Sequence, residues 1–180
     1  MKLTAIVEAA RGIYIAEFRA FVSRQKATSK PGAAEVKLQI DPDSRLFRRL
    51  YCCDFASNVE GSAAAVELTP ARSVNFEKFE EHVGPLTIGV EDLRWHDVII
   101  RHDAGAPPEA TFDAWFNKWF DPADSRVDPD SEFSGVIHSL LVEPGSISVD
   151  FGTAPEEAFW ELLSAAQGYG IRRLRISSSA

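Results

Sequence analysis

Residues 103–112 (DAGAPPEATF) and 150–159 (DFGTAPEEAF) repeat one pattern, D-x-G-x-x-P-E-x-x-F, at an offset of 47 residues. Each copy follows an apolar run typical of a strand and precedes apolar residues at helical spacing. Proline and glutamate favour the first turn of a helix, and glycine favours the turn before it. The pattern therefore predicts a strand-to-helix junction that occurs twice.

The apolar runs before the two junctions also correspond. Strands are predicted at 86–95 and 98–102, joined by a turn at His96-Asp97, and again at 134–142 and 147–151. Two hairpins, each followed by a helix, predict an α+β fold: a mainly antiparallel sheet of repeated hairpin-helix (ββα) units with the helices packed on one face. We expect one domain over residues 1–180, with the repeats in 61–180.

The second junction contains a capping box. The Thr153 hydroxyl is predicted to accept a first-turn N–H while Glu156 reaches back to the cap. Asp103 and Asp150 can each accept loop N–H groups. All five shared residues thus fit turn and cap chemistry, and the alternative is that the two aspartates are paired acids or metal ligands.

The first 60 residues permit two interpretations. Apolar residues from 3 to 21 recur at helical spacing, whereas residues 14–22 alternate as in a strand. A short helix ending at Gly12 and followed by a strand satisfies both patterns. Further helices are predicted after Asp43 or Ser44 and from Ser73 to Gly84.

The composition limits the classes of partner. The chain has 180 residues, 27 acidic against 19 basic, and a formal net charge of −8. This charge disfavours nucleic acid and anionic membranes, and it suits either a soluble cytoplasmic protein, for which solubility alone explains the charge, or one whose partner is basic. The clusters Arg45-Arg48-Arg49 and Arg172-Arg173-Arg175 are expected to pair with the acidic surplus.

The cysteines and the apolar runs indicate a compartment. Cys52 and Cys53 are adjacent, which disfavours a disulfide between them, and the chain contains no other cysteine. Charged residues interrupt the apolar start of the sequence, and no apolar run reaches the length of a membrane span. We therefore expect a cytoplasmic protein with no membrane association.

The helix after the first junction carries an aromatic stripe: Phe112, Trp115, Phe116, Trp119 and Phe120. Such a stripe at helical spacing is usually core. The alternative is that Trp115, Trp119 and Phe120 anchor a binding partner.

The histidines supply candidates for catalysis. His96 and His102 each precede an aspartate, and together with Asp103 and Asp150 they could provide a general base or metal ligands. Neighbouring strand residues point to opposite faces, so His102 and Asp103 do not naturally converge. His138 could join His102 across the sheet. The sequence predicts no metal and no cofactor.

The chain lacks the P-loop, dinucleotide-binding, nucleophile-elbow and H-E-x-x-H motifs. We expect a non-enzymatic protein-binding module of the adaptor, chaperone-like or toxin-neutralising type. One alternative is a metal-dependent or acid/base hydrolase-like enzyme that uses the His96, His102 and Asp103 region. The other is a protein that binds a small ligand between the sheet and the Trp-bearing helix.

Overall fold

The computed structural model describes residues 2–28, 31–59 and 62–179. The helices are α1 (Lys2–Thr28), α2 (Ala110–Phe120) and α3 (Glu156–Tyr169), and a 3₁₀ turn (Phe47–Arg49) precedes the second strand. The strands are β1 (Gly32–Gln39), β2 (Leu50–Val59), β3 (Ser62–Val66), β4 (Phe79–Val83), β5 (Leu86–Val90), β6 (Val98–His102), β7 (Ser139–Glu143), β8 (Ser146–Asp150) and β9 (Arg173–Ser177).

These strands form two sheets. One is antiparallel, with the order β1-β2-β3, and the other has the order β4-β5-β9-β6-β8-β7. In the six-stranded sheet, β5 and β9 are parallel and the remaining neighbours are antiparallel. The predicted α+β class is confirmed, with one antiparallel and one mixed sheet.

The repeated ββα units are not confirmed. β7 and β8 form the second predicted hairpin, whereas β5 and β6 are not neighbours because β9 lies between them. Leu174 and Ile176 of β9 are fully buried, and a strand buried in this way is most stable with a partner on each side. The predicted turn at His96-Asp97 instead belongs to the connection that crosses β9.

The first segment is one helix. α1 runs through Gly12 without a break, so the prediction of a short helix followed by a strand is wrong. A glycine inside a helix costs about 1 kcal/mol relative to alanine. Tyr14, Phe18 and Phe21 all become buried on the same helical stripe, and each contributes about 1.5–3 kcal/mol. The free energy gained by burying these three side chains therefore exceeds the cost of Gly12 inside the helix.

The helices predicted after residue 43 and from residue 73 are also wrong. Only the 3₁₀ turn forms in the first region, and the second has no regular secondary structure before β4. Alternate residues of β4 are half-buried, and Glu81 among them accepts the Leu3 N–H (2.8 Å). The pairing of β4 with β5 thus overrides a helical pattern that rested on three apolar residues.

The buried side chains of all three helices and of one face of the six-stranded sheet form one core cluster. Along β5, β6 and β8, buried residues alternate with residues that are partly or fully accessible. The second face of this sheet therefore keeps contact with solvent. Within the described residues, no helix has the length and apolar character of a membrane span.

The two junctions differ at their shared glycine. Gly152 has a φ of +48°, and a Cβ built on it would lie 2.2 Å from Cδ2 of His138. Gly105 has no neighbour within 4 Å of the corresponding position and does not adopt a positive φ. The glycine is therefore required in the second copy alone.

This difference predicts unequal effects for the same substitution. Gly152→Ala should destabilise the protein by about 2–4 kcal/mol, because it combines left-handed strain with overpacking against His138. Gly105→Ala, the matched control, should change stability by less than about 1 kcal/mol. Urea denaturation of both variants measures the difference. Equal losses would show that the close approach to His138 does not constrain Gly152.

Candidate functional site: a buried histidine cluster and three surface grooves

His138 lies at the centre of a buried polar cluster. Its Nδ1 is 2.9 Å from Oδ1 of Asp54, and its Nε2 is 3.3 Å from Oε1 of Glu35. The exposed fractions of the three side chains are 1%, 5% and 4%. Tyr14 of α1 donates its hydroxyl hydrogen to Asp54 (3.3 Å). Charged groups buried this deeply are tolerated only when they compensate one another.

The backbone of β1 turns Glu35 into the cluster. β1 pairs with β2 at Ala34–Phe55 and Val36–Cys53, but the intervening Glu35 and Asp54 do not pair. Glu35 has a φ of +52°, an uncommon conformation for a residue with a side chain. Its carboxylate then accepts the Ser134 N–H (2.8 Å), so this local strain is offset by hydrogen bonds.

The predicted capping box does not form. α3 begins at Glu156 after Pro155, and no side chain caps it. The Thr153 hydroxyl instead donates to Glu35 and accepts the Gly135 N–H (3.0 Å). A carboxylate in the core has no water to bind, whereas N–H groups at a helix start can reach solvent. The Thr153 hydroxyl therefore stabilises the Glu35 carboxylate and does not cap the helix.

The charged forms of His138 and its carboxylate partners stabilise one another. Burial opposes a proton on His138, but the Cys52 sulfur and the carboxylates of Asp54 and Glu35 outweigh it and raise the pKa of His138 well above its usual value. Burial likewise opposes charge on Glu35, yet the bonds from His138, Thr153 and the Ser134 N–H lower its pKa. A protonated imidazole between two carboxylates thus joins β1, β2 and the segment before β7.

The sequence predictions did not include Glu35 or Asp54. One signal for Asp54 was available, since it interrupts the apolar run Cys52-Cys53-Asp54-Phe55. An acid inside an apolar strand implies a buried cationic partner. Nothing local indicated Glu35, because its role depends on contacts with residues about a hundred positions away in the chain.

The four predicted catalytic residues divide between two grooves. Asp150 and His96 line one of about 220 Å³, together with Asp97. His102 and Asp103 line another of about 310 Å³. His138 does not join His102 as the sequence suggested, because it belongs to the buried cluster.

Asp150 has the titration that proton transfer near neutral pH requires. Burial raises its pKa to about 7, and its carboxylate accepts the Gly152 N–H (2.8 Å). His96 stacks on Tyr14 with ring centres 6.0 Å apart, and burial lowers its pKa. This groove can therefore hold a weak acid beside a neutral imidazole.

The aromatic stripe of α2 lies in the core. Trp115, Trp119 and Phe120 are buried, and the Trp115 indole donates to the Ala158 carbonyl (2.8 Å) while the Trp119 indole donates to Glu161 (2.9 Å). These bonds hold α2 against α3. The interpretation of the stripe as core is confirmed, and a direct role of the three residues in binding stays a prediction.

The structure also describes the potential metal ligands and thiols. Among the residues it covers, no group of three His, Cys, Asp or Glu side chains is arranged to hold a metal ion. Cys52 and Cys53 are free and buried, and burial raises the pKa of the Cys52 thiol to about 12. A thiol with so high a pKa is a poor nucleophile at neutral pH.

A third groove, of about 610 Å³, lies between β1 and the segment that follows α2. Its lining includes Lys26 of α1 and Lys37 of β1 and, from the other side, Asp124, Val127, Asp128 and Glu132. Lys37 pairs with Asp124 across it. We call this the acidic groove, because carboxylates predominate in the segment that borders it.

The raised pKa of Asp150 predicts how stability depends on pH. The usual pKa of Asp150 is 3.8, below its value of about 7 in the folded protein, so between these values the folded state binds more protons than the unfolded state. The contribution of Asp150 to stability should therefore fall as the pH rises from about 4 to 7. Asp150→Asn should remove this component, and urea denaturation at several pH values measures it. The exposed Asp103→Asn is the control, and parallel wild-type and Asp150→Asn profiles would contradict the prediction.

The chain was also compared with known proteins. No family model, curated protein or solved structure matches it. Its function is therefore inferred from its own residues and their arrangement.

Proposed function

We propose that this protein is a cytoplasmic, non-enzymatic protein-binding module that holds a basic segment of its partner in the acidic groove. The observation that carries the proposal is an excess of carboxylates beside that groove which the protein's own cations do not neutralise. Charge complementarity of this kind steers a partner and selects it over acidic competitors.

The excess lies in residues 121–132, which contain five carboxylates and one arginine. Lys37 pairs with Asp124, and Arg19 pairs with Glu132 (2.6 Å). Within the described parts of the chain, Asp128 and Asp130 have no cation within ion-pair distance. A bound partner could supply that cation.

The segment is held in one shape before any partner arrives. The buried Asp121 carboxylate accepts the backbone N–H groups of Ser125 (3.0 Å) and Arg126 (2.8 Å), and Asp128 accepts that of Asp130 (2.9 Å). Preorganisation lowers the entropy cost of binding. Eleven of the twelve residues in 121–132 are exposed loop positions that a partner can reach. The segment is therefore both accessible and fixed in conformation, which suits recognition.

The groove also offers an apolar contact and a strand edge. Val127 is 51% exposed, which is unusual for a large hydrophobic residue in this protein. β1 is an edge strand that pairs with β2 on one side. An extended partner segment with basic and apolar side chains in alternation would fit both features. An adaptor, a chaperone-like protein and a toxin-neutralising protein could each use such a contact.

The alternative hypothesis, that the protein is a hydrolase-like enzyme, has less support. Its residues are divided between two grooves, and the His138 cluster is nearly inaccessible to a substrate. The pKa of Asp150 favours proton transfer, but buried structural networks also shift pKa values. A small ligand between the sheet and α2 is also less supported, because the Trp-bearing face is packed in the core.

The proposal predicts the effect of neutralising the free carboxylates. The double variant Asp128→Asn/Asp130→Asn should weaken binding of the partner about tenfold, because each lost ion pair at the surface costs about 0.7 kcal/mol. Affinity capture from the native cell, followed by titration with the purified partner at two salt concentrations, measures this. Binding should also weaken as salt rises.

The control for that experiment removes the same charge elsewhere. Glu8→Gln/Glu157→Gln changes two exposed acids outside the acidic groove and should leave affinity nearly unchanged. A partner that is itself acidic, or one that binds the Asp128/Asp130 variant and the wild type equally, would overturn the proposed function.

A further inference from the structure

The solvent-facing side of the six-stranded sheet carries a row of side chains that cross-strand pairing brings together. Glu80, Gly89, Arg175 and Arg101 are successive partners on β4, β5, β9 and β6. Arg173 lies two residues from Arg175 on β9 and so faces the same side. All of these residues line the groove of about 310 Å³. We call it the arginine groove.

The positive charges of the arginines lie close enough to repel one another. Arg101 and Arg175 are directly opposite each other, an arrangement of like charges that destabilises a sheet. In the described residues Arg101, Arg172 and Arg173 form no ion pair, so the expectation that the basic cluster pairs with the acidic surplus is wrong for Arg172 and Arg173. Arg175 has a long contact with Glu91 (3.5 Å). The repulsion would be relieved by an anion.

Gly89 gives independent support. It lies in the middle of β5, where glycine weakens a strand. Its φ is not positive, and a Cβ would meet only the Leu174 carbonyl oxygen at 3.9 Å, an ordinary contact. Neither backbone conformation nor packing therefore requires a glycine. What the missing side chain provides is open space in the groove beside Arg175, as expected where a ligand approaches the sheet.

We propose that the arginine groove binds a small phosphomonoester, with Arg101, Arg173 and Arg175 contacting the phosphate. Adjacent strands are about 4.8 Å apart, and alternate residues on a strand are about 6.6 Å apart. Long arginine side chains that start from these backbone spacings can each reach one anion with three terminal oxygens, whereas one arginine fork satisfies a carboxylate. The Arg101 guanidinium donates to the Ser177 hydroxyl (2.6 Å), which holds it over the sheet.

Two carboxylates set the limits of the site. Glu80 lies across Gly89 from Arg175, about two strand spacings away, and Asp103 lines the groove near its end. Both repel a phosphate, and both confine it to the side where the arginines lie. The groove is larger than one phosphate ion requires, and the space over Gly89 would take the organic part of the ligand.

The experiment is an NMR titration of the whole chain with phenyl phosphate at low ionic strength, with inorganic phosphate and benzoate as comparison ligands. Phenyl phosphate should shift the amide signals of β5, β6 and β9 and bind more tightly than the other two. Arg101→Gln and Arg175→Gln should each weaken binding about tenfold, since a charged hydrogen bond is lost. Glu80→Gln should strengthen binding by relieving repulsion.

Gly89→Val keeps the test independent of folding. It fills the groove with a residue that favours strands, so it should abolish binding while the protein stays folded. Arg24→Gln, an exposed change on α1, controls for net charge and should bind as the wild type does. Equal binding of benzoate, tighter binding of inorganic phosphate, or no effect of Gly89→Val would each overturn the proposal. The arginine groove shares no residue with the acidic groove, so this result does not depend on the proposed function.

Discussion

The ion pairs between His138 and the carboxylates of Glu35 and Asp54 constrain much of the structure around them. An uncompensated charge in a protein interior costs several kcal/mol, so each partner must stay in place once the others are buried. This requirement explains the positive φ of Glu35, and the close packing of the imidazole explains why residue 152 is a glycine. It also explains why the Thr153 hydroxyl bonds to a carboxylate and not to a helix end. The two sheets are joined through this cluster as well as through apolar contacts.

The sequence predicted the elements whose signals are local. The hairpin of β7 and β8, the helices α2 and α3, and the aromatic stripe all follow from periodicity and turn residues near one another in the chain. The wrong predictions came from regions where distant contacts decide. β9 separates β5 from β6, and the pairing of β4 with β5 overrides a weak helical pattern. A repeat of ten residues could predict two junctions, but it could not reveal that only one of them packs on a histidine.

The candidate site shows the same limit. Asp150 was a candidate because it belongs to the repeated D-x-G-x-x-P-E-x-x-F pattern. Its raised pKa, however, results from burial and from neighbouring charges outside that pattern. Net charge is also an incomplete guide to surfaces. A chain with a formal charge of −8 places two unpaired carboxylates, Asp128 and Asp130, beside one groove and three arginines in another. The net charge reveals neither the unpaired carboxylates nor the group of arginines, because strand order and register decide where these residues lie.

The position of β9 has a consequence for how the chain reaches this structure. Among the described residues β9 is the last strand along the sequence, and it pairs with both β5 and β6. Until residues 173–177 have been synthesised, those two strands each present an open edge of unpaired backbone N–H and C=O groups, which is the kind of surface that associates with other chains. From the synthesis of β6 until that of β9, the sheet therefore stays divided into two parts. Completion of the sheet and closure of its most aggregation-prone edges are then a single event.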